Sequence, residues 1–225
     1  MPTVQLISRA QALQQPLLRS QVAGFQRAMM REEFTPAQAA ARGFESGLLT
    51  TPKIPLWELV FYHPGPLLTP LPGQLAAALG QVLRELGAAS WRCLPYLARP
   101  LLGNPRHPYR PVQLARRQLA AWGATPGYRG AYQVPLAATA DFIRVLFRIS
   151  RYDGSTSEYT FLAPETDDFV AYVCKYGNLH VLGRAEQLDA WRGVFQRAGL
   201  REWEGREYER FSADGHISGR RIRLR

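Results

Sequence analysis

The chain has 225 residues, 46% hydrophobic and 20% charged, which is enough apolar matter for a core and too much for wholesale disorder. Two cysteines, Cys93 and Cys174, cannot build a disulfide framework or a structural zinc site, and the uncharged run 59–83 is broken by four prolines and three glycines, so it cannot supply the ~20 regular apolar residues of a bilayer span. Of the 28 basic residues only Lys53 and Lys175 are lysine, so the formal net charge of +10 says less about partners than its size suggests.

In chain order, the first third reads as helical. Residues 17–33 place Leu18, Val22, Phe25 and Met29 on one stripe, and Thr35-Pro36 has the form of a helix N-cap followed by a first-turn proline. Two short helices in succession invite a helix-turn-helix reading. Residues 57–62 could form a strand, a helix follows at about 73–87, and the four prolines of 98–111 mark an ordered loop or a domain connection. Val112, Ala115, Leu119 and Trp122 then form the buried stripe of a helix that Pro111 opens and Gly123 stops. Arg116 and Arg117 flank or oppose that stripe.

Beyond residue 140 the pattern suggests strands. In 141–150, Ile143, Val145, Phe147 and Ile149 alternate with Arg144, Leu146 and Arg148, Asp153-Gly154 makes a turn, and 158–162 returns as a hairpin partner. After an acidic turn at 165–168, residues 169–174 read as a strand buried on both sides, and Gly177-Asn178 turns it into 179–182. A helix at about 185–198 ends at Gly199. A last hairpin spans 206–225, with Arg221, Arg223 and Arg225 on one strand face, where they can track phosphates or protect an edge.

Charge is unevenly distributed. Residues 86–140 contain no Asp or Glu, yet hold Arg92, Arg99, Arg106, Arg110, Arg116, Arg117 and Arg129 interleaved with Trp91, Tyr96, Tyr109, Trp122, Tyr128 and Tyr132. Guanidinium groups beside aromatic faces suit a polyanion, because arginines pair with phosphates and bases stack on rings.

The order of elements over 111–199, with RVLFRISR at 144–151 and DDFVAYVCKYGNLHVLGRAEQL at 167–188, resembles the PD-(D/E)xK nucleases, the restriction-endonuclease-like fold, in the branch that includes some group I intron homing endonucleases. The resemblance implies metal-binding acids and a lysine on adjacent strands. At those positions this chain has Gln133, Leu146 and Arg148. Leucine cannot bind a metal, and arginine is a poor proton acceptor.

The reading is therefore an α+β protein: a mainly helical basic region at 1–105, then a mixed-sheet, restriction-endonuclease-like domain at 106–225 flanked by helices. The expected function is DNA binding through the phosphate backbone, on a nuclease-like domain without catalysis. Contacts would come from Arg92, Arg99, Arg106, Arg110, Arg116, Arg117, Arg129, Arg148, Arg220, Arg221, Arg223 and Arg225. No catalytic residue, metal ligand or cofactor is assigned. An active nuclease, using Asp141, Asp153, Glu158 or Asp168 with Mg²⁺, is one alternative. A protein-interaction module for an acidic partner is the other. A homodimer stays open, and the expected setting is cytoplasmic, at the nucleoid if DNA is bound. The histidines (His63, His107, His180, His216) lack metal-ligand spacing, and Cys174 reads as a small hydrophobe on a buried strand.

Overall fold

The computed structural model describes residues 3–30, 34–65, 70–104, 106–157, 159–174 and 176–203. A short strand β1 (Gln5–Ile7) leads to Ser8, which with Gln11 forms a reciprocal capping box on helix α1 (Arg9–Ala12). Helix α2 (Pro16–Met30) buries Leu17, Leu18, Val22 and Gln26, and Asp167, far away in sequence, accepts the Leu17 amide at 3.0 Å. Thr35 and Gln38 cap helix α3 (Pro36–Ala41) in the same reciprocal way, as the Thr35-Pro36 signal predicts. At six residues, about 9 Å long, α3 offers no recognition helix for a helix-turn-helix.

Among the described residues, eight strands form one sheet. Besides β1 these are β2 (Trp57–Tyr62), β3 (Ser90–Pro95), β4 (Ala131–Pro135), β5 (Thr160–Pro164), β6 (Val170–Val173), β7 (Leu179–Gly183) and β8 (Arg201–Glu202), in the spatial order β1-β4-β3-β5-β6-β7-β2-β8. Four longer helices, α4 (Leu71–Glu85), α5 (Arg110–Ala121), α6 (Thr139–Tyr152) and α7 (Leu188–Arg197), cover one face. Strand side chains such as Phe61, Cys93, Leu162, Ala171 and Val181 pack beneath them. Helices α1 and α2 cover the other face, over Leu94, Phe161, Ala163, Val170 and Tyr172. The two-period of the strands divides neighbouring residues between the two layers, which is why β5 and β6, covered on both faces, are buried along their whole length. Helices α5 and α7 stop as expected: Gly123 (φ 90°) and Gly199 (φ 85°) take the left-handed conformation, and the following amides of Ala124 and Leu200 reach back to the Leu119 and Phe195 carbonyls.

The α+β class holds, and the structure changes its parts. Residues 141–150, expected as a strand, lie inside α6. Phe142, Ile143, Val145, Leu146, Phe147 and Ile149 are all buried there, because α6 packs on the sheet between α4 and α5. One of the two segments carrying the nuclease resemblance is therefore helical. Leu146 sits in the core and not at a metal position. Every strand pair among the described residues is antiparallel, where a mixed sheet was expected. β5 pairs with β3 and β6, so 158–162 is no hairpin partner of 144–151. Strands from both sides of residue 105 share the one sheet, so that boundary does not separate two cores, and the region before it contributes β1, β2 and β3. The expected C-terminal hairpin lies outside the described residues. Among the described residues no helix is long and apolar enough to cross a membrane.

Candidate nucleic-acid interface

Helices α5 and α6 lie side by side on the same face of the sheet. Between them they carry six arginines (Arg110, Arg116, Arg117, Arg144, Arg148 and Arg151) and one carboxylate, Asp141. The buried stripe of α5 is Val112, Ala115 and Leu119, as its spacing predicts. Seven residues make almost two turns, so Arg110 and Arg117 share the opposite, exposed stripe about 10 Å apart, with Leu114 between them. No acid occupies the first turn of α5, so its positive helix end adds to the same field.

Two grooves flank this pair of helices. One, of about 220 Å³, has Arg116, Arg117, Pro100, Thr125, Tyr128 and Tyr132 in its walls. The other, of about 390 Å³, is lined by Pro111 at the start of α5 and by Arg144, Phe147, Arg148 and Tyr152 of α6. Arg144 is held by Asp141 at 3.0 Å. Arg151 is buried against the Tyr152 ring, and burial pushes its guanidinium pKa down. Arg110, Arg117 and Arg148 have no ion-pair partner among the described residues.

The opposite end of the same layer is neutralised. On α7, Arg192 meets Asp189 at 2.5 Å and Glu202 at 2.7 Å, and Arg197 pairs with Glu85 of α4. On the far face of the sheet, Arg9 pairs with Glu45 at 2.6 Å, and Arg27 donates to the Leu49 and Thr51 carbonyls. Within the layer of α4 to α7, the arginines without an ion-pair partner thus include Arg110, Arg117 and Arg148 on α5 and α6, while those of α7 are paired.

The candidate arginines separate into groups. Arg110, Arg116 and Arg117 lie on α5, and Arg148 lies on the adjacent helix α6. Arg106 is exposed in the loop leading into α5, and Arg99 is half-exposed in the loop whose Pro100–Leu102 stretch lines the smaller groove. Arg129 is exposed beyond α5, before β4. Arg92 is a correction: on β3 it donates to the Gln11 and Ala12 carbonyls at 2.8 and 3.3 Å, tying α1 to the sheet from the other face. Arg220, Arg221, Arg223 and Arg225 lie outside the described residues.

The acids weighed for a nuclease do not converge. Asp141 is exposed at the start of α6. Asp153, fully buried at its end about 18 Å along the axis, accepts from the Asn104 and Ser155 amides, and Asp168 sits in the β5–β6 turn. Glu158 lies outside the described residues. Among the described residues no group of three or more His, Cys, Asp or Glu side chains could hold a metal ion.

One polar constellation is not visible in the sequence. On β7, His180 pairs with Tyr172 of β6 on one side and Val60 of β2 on the other. Its Nδ1 lies 2.7 Å from Glu58 Oε1, the same oxygen accepts the Tyr172 hydroxyl at 3.0 Å, and the ring stacks on Tyr172 at 4.4 Å. Burial alone would disfavour charge on His180, but hydrogen bonds and charge from Cys174 and Glu58 hold its pKa up at about 9. The hydrogen bond to His180 is the main reason the Glu58 carboxyl is held below its ordinary range. Residues 58 and 180 become neighbours through the β2–β7 pairing, which no local pattern announces.

The chain matches no family model, no curated protein and no solved structure.

Proposed function

We propose that the protein binds duplex DNA through the α5–α6 face, with Arg106, Arg110, Arg116, Arg117 and Arg148 on backbone phosphates. The supporting observation is the contrast within one layer of helices: the α7 arginines are matched by carboxylates, while Arg110, Arg117 and Arg148 on α5 and α6 have no ion-pair partner among the described residues. Phosphates supply the missing counter-charges, and such contacts confer affinity without reading sequence. The flanking grooves give the face relief, and Tyr128 and Tyr152 in their walls present ring surface beside the arginines. Cleavage is no part of the proposal, since the strand on which the nuclease chemistry would rest is the buried helix α6.

Two charge-matched double variants test this reading. Arg110→Glu with Arg117→Glu should weaken binding to a labelled duplex at least tenfold. Arg192→Glu with Arg197→Glu, the same change in net charge at the neutralised end, should weaken it no more than two- to threefold. Equal losses would mean that only net charge matters. If the wild type ignores DNA at low salt but binds polyglutamate, the face serves an acidic protein and the proposal fails.

A further inference from the structure

A third groove, of about 850 Å³, opens on the other side of the sheet, in the layer built by α1 and α2. One wall is the stretch from Ala10 to Arg19, and the other is the segment 45–54. Leu13 and Leu48 in its lining also belong to the buried core of that layer, and Pro16, Pro52 and Ile54 extend the apolar surface. The segment 45–54 is no part of the sheet, yet side chains from α1 and α2 hold it in place. Arg9 pairs with Glu45 at 2.6 Å, Ser20 Oγ accepts the Ile54 amide at 2.8 Å, and Arg27 donates to the Leu49 and Thr51 carbonyls at 3.3 and 2.8 Å. Walls tied in this way are formed before a ligand arrives, which lowers the cost of binding one.

Two charged side chains line the groove, and only one of them is matched. The Glu45 carboxylate accepts from Arg9 and from the Gln26 amide. The N-terminal end of α2 is also satisfied, since the Leu17 amide donates to Asp167 at 3.0 Å. Arg19 is exposed on the first turn of α2, and its Nε donates to Thr51 Oγ1 at 3.3 Å on the facing wall. Its Nη1 and Nη2 have no partner among the described residues. A guanidinium edge positioned in this way presents parallel N–H donors, the geometry that takes a carboxylate.

We propose that this groove binds a small amphipathic carboxylic acid, with its carboxylate on Arg19 and its hydrocarbon body along Leu13, Leu48 and Ile54. The volume lies in the range of about 300–1,000 Å³ usual for small-ligand pockets, and an apolar lining with a single directing charge is their common composition. The site shares no residue with the α5–α6 face, so the duplex-binding reading can fail without touching it.

Isothermal titration calorimetry with decanoate, near pH 7 where the acid is ionised, tests the proposal. The wild type should bind it one to one with a Kd of about 0.5 mM or tighter, and should bind acetate, the same head group without the body, at least about tenfold more weakly. Arg19→Gln should weaken decanoate binding about tenfold, the loss expected of a charged hydrogen-bonded pair. Arg197→Gln, the same change of charge on α7 across the sheet, should alter it less than about twofold. Ala10→Trp replaces an exposed residue of the groove wall, so it should block the site while the wild-type circular dichroism and Tm are kept. A wild-type Kd weaker than about 0.5 mM overturns the proposal. Equal losses from Arg19→Gln and Arg197→Gln overturn it as well, as does undiminished binding by Ala10→Trp. Acetate binding as tightly as decanoate would refute the role of the apolar walls and the proposal with it.

Discussion

Gln26 is fully buried on α2 and joins three parts of the chain. Its Nε2 donates to the Tyr96 carbonyl at 2.6 Å and to Glu45 Oε2 at 3.2 Å, and its Oε1 accepts the Glu45 amide at 2.9 Å. Glu45 is also the partner of Arg9, whose guanidinium donates to the Pro95 and Leu97 carbonyls, so one amide side chain helps close the α1–α2 layer over the end of β3. Gln26→Leu keeps the volume and removes all three bonds. A net hydrogen bond contributes roughly 1 kcal/mol, and a desolvated amide left without its acceptor costs about 1–3 kcal/mol more. Leucine's added hydrophobic burial returns part of this, so the expected loss is about 3 kcal/mol. For a chain of this size that corresponds to a fall in Tm of about 6–12 °C, read by thermal melting or urea denaturation monitored by circular dichroism. A loss below about 1 kcal/mol would refute the reasoning, since it would show that water or a shifted backbone replaces these bonds at no cost.

Other outcomes follow from the same structure. Glu58 has its pKa lowered in the fold, so the stability it contributes is present above the ordinary carboxylate range and is lost as pH falls through the folded value. Glu58→Gln should therefore flatten the acid limb of stability, measured by urea midpoints from pH 6 to 3, and an unchanged limb would contradict the His180 contact. Leu146→Ala should cost about 2–5 kcal/mol because Leu146 is 1% exposed in the core of α6, whereas Asp141→Asn, at an exposed pair, should cost less than about 1 kcal/mol. Urea midpoints of the two variants check this, and similar losses would place α6 wrongly.

Local sequence was enough for elements whose pattern fits one period. The stripe of α5, the glycine stops after α5 and α7, the Thr35 cap and the β6–β7 hairpin about Gly177 can all be read from a few neighbouring residues. α6 misled because it is buried on most of its circumference. Once Phe142, Ile143, Val145, Leu146, Phe147, Ile149 and Ser150 are all inside, any period can be drawn through them, including the alternation Ile143–Val145–Phe147–Ile149. Length was the better guide, since ten or more such residues exceed a common strand and suit a helix. Strand β1 is three residues long and gives almost no periodic signal. Arg106, Arg110, Arg116 and Arg117 of the candidate interface were visible in an acid-free stretch, which Arg148 lies beyond. Arg92 was indistinguishable from the rest, because its partners, the Gln11 and Ala12 carbonyls, are 80 residues away. The His180–Glu58 pair was hidden for the same reason.

The central claim concerns the α5–α6 face, and the salt dependence of duplex binding tests it most directly. If Arg106, Arg110, Arg116, Arg117 and Arg148 each meet a phosphate, log K should fall against log salt with a slope of about −4 to −5, or roughly 500-fold between 50 and 200 mM. Fluorescence polarisation with a labelled duplex reads this. That slope, made shallower by about two when Arg110 and Arg117 are replaced, is the result expected. A slope weaker than about −2, or no binding at 50 mM salt, would contradict it.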